Sequence, residues 1–225
     1  MKLLMIALGI AYPLVAHAAV VSRNAAITTA SLAVLAALVM LPRLARGSVV
    51  MWCAVPVVIA ALVLLSRVHA AWLPLYATPV FVTLFGAWVF GHTLAPGETP
   101  LIVRLARLLH APNDPGPEIE AYARKVTLAW ALLLGGLSLL SLTLALLAEP
   151  NGILLMGGVR PPLTVSLETW SLFSNFLNYL IAGGFFLIEY LYRRWRFPQQ
   201  PYRNLFDFMR RAAAVSQRAI HPRQP

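Results

Sequence analysis

Charge is in short supply in this sequence, and acidic charge most of all. Only 12% of its residues are Asp, Glu, Lys or Arg, and eight of them are acidic. A soluble domain carries about one-quarter charged residues, so half of the charge expected on a globular surface is missing. Cysteine is nearly absent as well. Cys53 stands alone inside an apolar run, which excludes a disulfide framework and leaves the redox compartment open. An apolar surrounding keeps a thiol protonated and inert, so packing is its expected role.

The motifs that carry chemistry are also missing. There is no HExxH, CxxC or GxSxG. The histidines His17, His69, His92, His110 and His221 include no pair at i, i+4 spacing. No metal site is therefore expected, because metal ligands normally show in their spacing, and interfacial histidines are ordinarily solvated. The glycine pairs Gly135-Gly136 and Gly183-Gly184 lack the following Lys-Ser/Thr of a phosphate loop. Inside apolar runs they predict close helix packing instead. No catalytic set and no cofactor is expected.

What the sequence has is apolar length. Hydrophobic residues make up 60% of the chain, and its mean hydropathy is +0.74. A core of this size cannot hide that surplus, and a bilayer can. Six runs reach the roughly 20 residues that cross the hydrocarbon, at 3–21, 25–41, 48–66, 70–90, 126–148 and 170–191. Only the last contains a charged side chain, Glu189. Pro74 and Pro79 predict a kinked fourth helix rather than a broken one, because neighbours can satisfy the freed carbonyls. The expected fold is all-α: a single membrane domain of six transmembrane helices over residues 1–225.

The first run has features of a signal peptide. Lys2 is followed by an apolar stretch and by Ala16-His17-Ala18, a small-x-small site. Pro13 within the stretch and the immediate start of the next run favour an uncleaved helix.

Basic residues predict the orientation. With six spans, Lys2, Arg43, Arg46, Arg104, Arg107, Arg124, Lys125 and the eight arginines after residue 192 fall on one side. Arg23, Arg67 and Arg160 fall on the other. An excess of Lys and Arg marks the cytoplasm, so both termini are expected there, in the inner membrane of a bacterium. The net charge of +10 also suits phosphate. Orientation and anionic lipid explain it better, so no nucleic acid is expected as a partner.

Two cytoplasmic segments have the pattern of surface helices. In the fourth loop, Thr99-Pro100 provides an N-cap and first position. Leu101, Ile102, Leu105, Leu108 and Leu109 then fall opposite Arg104, Arg107 and His110. In the tail, 192–225, Tyr202, Leu205, Phe206, Met209, Ala213 and Ile220 fall opposite Arg203, Asp207, Arg211 and Arg218. Basic amphipathic helices lie in the headgroup region. Arg104, Arg107, Arg203, Phe206 and Arg211 are thus expected to meet anionic headgroups of the bilayer. The alternative is packing on the protein's own cytoplasmic face. Residues 111–117 (APNDPGP) form a turn-rich linker, and the outer loop 149–169 is too short for a domain.

The last span is the most informative. Ser171, Asn175, Asn178 and Ala182 recur at helical spacing, Glu189 follows on the same side, and Tyr179 is adjacent. Polar groups in hydrocarbon face the bundle interior, another polar group or a water-filled cavity. The stripe is therefore either a ligand or proton path, or interhelical glue with Ser138, Ser141 and Thr143. Glue is the favoured reading. Glu189 also stands one turn before Arg193 and Arg194, which can pair with it. Trp130, Trp170 and Trp195 fit aromatic belts at the membrane interfaces.

Three stretches carry a resemblance: HTLAPGETPLIVRLARLLH, ARKVTLAWALLLGGLSLLSL and LETWSLFSNFLNYLIAGGFFLIEYLYRRWRFP, together covering much of 92–198. They resemble a family of small bacterial multi-spanning proteins encoded with aryl-polyene (xanthomonadin-type) pigment clusters. The resemblance implies a place beside acyl-carrier and acyl-transfer proteins on the cytoplasmic face, and it assigns no site residue. TLAW, ETW and SNF more weakly resemble intracellular septation proteins. The expectation is a non-catalytic inner-membrane protein that anchors or assists an envelope-lipid or aryl-polyene assembly. A small lipid or metabolite transporter or flippase is second, and an integral-membrane enzyme last.

Overall fold

The computed structural model describes residues 2–22, 24–67, 72–111, 113–150, 152–198 and 206–211. It contains α1 (Lys2–Ser22), α2 (Ala25–Leu44), α3 (Val49–Arg67), α4 (Trp72–His92), α5 (Leu101–His110), α6 (Pro117–Leu147), β1 (Ala148–Glu149), α7 (Ile153–Met156), β2 (Val165–Ser166), α8 (Leu167–Leu172), a π-helical turn (Phe173–Leu177) and α9 (Asn178–Arg196). Residues 206–211 are also helical. Among the described residues six helices are long and apolar enough to cross a membrane. The chain is a multi-pass α-helical membrane protein, since helices satisfy their own backbone polar groups in lipid.

Helix ends follow local chemistry more than hydropathy. The fifth spanning helix, α6, begins at Pro117 rather than at 126. Gly116, at φ +84°, turns the chain so that proline takes the first position, and Glu118 and Glu120 complement the positive end of the dipole. The last spanning helix begins at Leu167, where Ser166 Oγ accepts from the Thr169 N–H at 3.1 Å, and it runs to Arg196. α4 is continuous through Pro79, as expected.

The chain divides into two compact units. The first comprises 1–82 and 137–180, the second 83–136 and 181–225. In the first, Tyr12, Ala16, Ala19 and Val20 of α1 are buried with Leu32, Leu75, Tyr76, Ala145, Ala148 and Trp170. Alanines on α1 let it pack along α2, α8 and the π turn. β1 and β2 form a short parallel pair, Ala148 with Val165 and Glu149 with Ser166, which gathers in the loop between α6 and α8. Trp170 is 1% exposed, its ring 4.3 Å from that of Tyr76. It is a core residue, which corrects its assignment to an interfacial belt. Cys53 corrects another expectation: α3 buries none of its residues, and the thiol is exposed.

The second unit is built on aromatic and small residues. Trp130 lies between Phe90 and Phe185, with ring centres 5.6 and 4.8 Å away. It too is packed rather than belted, whereas Trp195 is exposed. Gly135 faces the Ala87 methyl at 3.9 Å, but Gly136, Gly183 and Gly184 have open space where a Cβ would be. Only the first of these four glycines serves a close approach. The tighter one is Gly86, where a Cβ would come 2.9 Å from Leu134 Cδ1.

Candidate functional site

α5 is the amphipathic helix expected, with a different cap. Thr99 does not cap it. The Leu101 N–H donates to Thr93 Oγ1 at 3.0 Å, and the Ile102 N–H to Thr127 Oγ1 at 3.3 Å. Val103, Ala106 and Leu109 are buried, while Leu108 is exposed. The helix therefore packs on its own unit, and its contact face is rotated from the leucine stripe. Both nitrogens of the Arg107 fork reach Glu120, Nη2 at 2.9 Å from Oε2. That hydrogen bond and charge raise the Arg107 guanidinium above its ordinary pKa. Arg104 is 3.9 Å from Glu98.

The tail segment follows the same logic. Phe206 and Met209 are exposed, while Phe208 and Asp207 are buried. Phe208 packs with Leu109, Tyr190 and Phe186, and Asp207 accepts from Arg210 and Arg211 at 3.1 Å each. The residue that docks the tail is thus Phe208, which lies off the apolar stripe read from the sequence. Arg211 is paired with an acid on its own segment. Arg203 and the rest of that stripe, Tyr202, Leu205, Ala213 and Ile220, lie outside the described residues.

The polar stripe of the last span is split between the units. Ser171, Ser174, Asn175 and Asn178 are buried on and around the π turn. Asn175 Nδ2 donates to Ser171 Oγ at 3.0 Å, and Ser171 Oγ lies 3.0 Å from His17 Nδ1. Asn178 Nδ2 donates to Ser141 Oγ at 2.9 Å. Ser138 donates to the Val80 carbonyl at 3.0 Å, whereas Thr143 turns back to Leu139 of its own helix. The stripe ties α1, α4, α6 and the last span together. Tyr179 points away from it and is exposed.

His17 was expected to be solvated and is instead the partner of Ser171. The signal was its helical spacing from Tyr12, Ala16 and Val20, which share a buried side of α1. A serine 3.0 Å from an imidazole has the spacing of a nucleophile and base. Ser171, however, is fully buried, and its oxygen already receives the Asn175 proton. The arrangement is a hydrogen-bond junction.

Glu189 belongs to the second unit. Tyr122 Oη donates to Glu189 Oε1 at 3.2 Å, and Arg193 Nε lies 3.2 Å from the same oxygen. The expected pairing one turn along the helix is present. Tyr122, which apolar length placed outside the fifth span, was missed. Two further features border this group. An open cleft of about 650 Å³ lies among His110, Asp114, Glu118, Arg196 and Phe197, and a small cavity of about 20 Å³ among His110, Tyr122 and Arg193. His69 and His221 lie outside the described residues. Among the described residues no three His, Cys, Asp or Glu side chains converge as metal ligands would.

No protein-family model, curated protein or solved structure matches this chain.

Proposed function

We propose that this protein is a non-catalytic inner-membrane protein with both termini in the cytoplasm. In this reading it anchors an envelope-lipid or aryl-polyene assembly, or hands on its lipid-linked product. The observation that carries the reading is the fate of the polar stripe. Ser171, Asn175 and Asn178 spend their hydrogen bonds on His17, Ser141 and one another. A transport path needs such groups free to meet a solute. The basic excess on the cytoplasmic side adds attraction for anionic headgroups and for acidic acyl-carrier proteins. A small lipid or metabolite transporter is the second reading, favoured by Glu189, which stands outside that network.

The test is binding of an acidic acyl-carrier protein to the full chain in nanodiscs. A complex at low salt that weakens as salt screens the charges supports the anchor. No complex at low salt overturns it.

A further inference from the structure

Two spaces meet at His110, the last residue of α5. Its Nδ1 lies 2.8 Å from the Ala106 carbonyl oxygen. A carbonyl only accepts, so Nδ1 carries the proton and neutral His110 presents a lone pair at Nε2. Nε2 is buried and has no hydrogen-bond partner, whereas buried polar groups are normally met by protein or by ordered water. The imidazole borders the open cleft on one side and the small cavity on the other.

The cavity, about 20 Å³, is the size of one water molecule, which needs roughly 10–15 Å³. Its wall is apolar except at His110, Tyr122 and Arg193. Tyr122 gives its own proton to Glu189, so its oxygen can only accept from the cavity side. Two acceptors, His110 Nε2 and Tyr122 Oη, therefore border a space that fits one molecule with two protons to give.

We propose that a single water in this cavity links His110 to the Tyr122–Glu189 pair, so that Glu189 exchanges a proton with the cleft through His110. This goes beyond anchoring, which needs no proton path. With His110 neutral, the water donates to Nε2 and to Tyr122 Oη. When His110 takes a second proton from the cleft, Nε2–H donates to the water and the chain aligns. His110 then gives its proton to the water oxygen, the water passes one to Tyr122, and Tyr122 passes its own to Glu189. His110 returns to neutral, the water and the phenol are restored, and the carboxylate becomes a carboxylic acid.

The other charged groups nearby are engaged with one another. Arg193 is on Glu189 itself, Arg107 holds Glu120, Arg196 is 3.8 Å from Glu118, and Asp207 sits between Arg210 and Arg211. Asp114 faces the cleft and accepts from the Gly116 N–H.

An acid jump on the full chain in nanodiscs, followed by infrared spectroscopy, tests the relay. The carbonyl band of protonated Glu189 is identified by its loss in Glu189→Gln. In the parent protein the band should rise rapidly. In His110→Gln, which keeps a polar end but carries no proton, and in Tyr122→Phe it should rise about a hundredfold more slowly, the low end of what a positioned proton carrier contributes. A band that rises equally fast in both variants overturns the relay. So does the absence of any band, since Glu189 then never takes the proton.

Discussion

The guanidinium carbon of Arg193 lies 4.6 Å from the centre of the Phe208 ring. The same side chain is on Glu189, so a carboxylate inside a spanning helix and the docking residue of the tail share one arginine. Phe208 is 5% exposed, and losing it should cost about 3 kcal/mol, the low end for a buried phenylalanine. A nitroxide at residue 210, in a Cys53→Ser background, should become mobile in Phe208→Ala and stay immobile in Phe206→Asp. Equal mobility in both would show that lipid, rather than Phe208, holds the tail.

The second prediction concerns Asn178 and Ser141, joined at 2.9 Å. A double-mutant cycle with Asn178→Ala and Ser141→Ala should give a coupling of about 0.6 kcal/mol, the average for interhelical hydrogen bonds in membranes. Unfolding in mixed micelles measures it, and the single variants should keep their cellular task. Normal stability with a lost task would turn the stripe from glue into a path.

Two ion pairs should separate by burial. The Arg193 and Glu189 side chains are 12% and 8% exposed, so Glu189→Ala strands a buried charge and should cost about 3 kcal/mol. Arg107 is half in solvent, and Arg107→Ala should leave the thermal midpoint unchanged, as exposed pairs usually do. Thermal unfolding of the two variants side by side reads the difference, and similar losses would contradict it.

Orientation is tested by reporter fusions. Fusions after Pro117 and at the C-terminus should report the cytoplasm, and one after Gly158 the opposite side. An external C-terminus would be incompatible with the proposed arrangement.

The fifth prediction is that intact mass includes residues 1–18. Tyr12 and Ala16 are core residues of the first unit, and cleavage after Ala18 would remove both. A mass short by those residues would mean that this core forms without them.

The fold was largely legible because the bilayer imposes it: an uncharged run of spanning length has few alternatives to a helix. Hydropathy ran out at helix ends, where it sees only the apolar part. α6 extends back to Pro117 through polar residues that caps and the dipole favour. At the candidate site, helical spacing joined Ser171, Asn175 and Asn178 correctly, because i, i+4 neighbours share a face. It assigned Glu189 to the same stripe, although its contacts belong to a different unit.

Composition and residue order determined that this chain has six spanning helices and where its arginines fall along it. They also established that Glu189 has an arginine one turn away, because all of these depend on residues near in sequence. Only the tertiary structure decided that His17 meets Ser171, 154 positions away. It alone showed Phe208 rather than Phe206 docking the tail, and His110 bordering a cavity with Tyr122. Periodicity assigns a side chain to a face, and which neighbour covers that face depends on how distant helices pack.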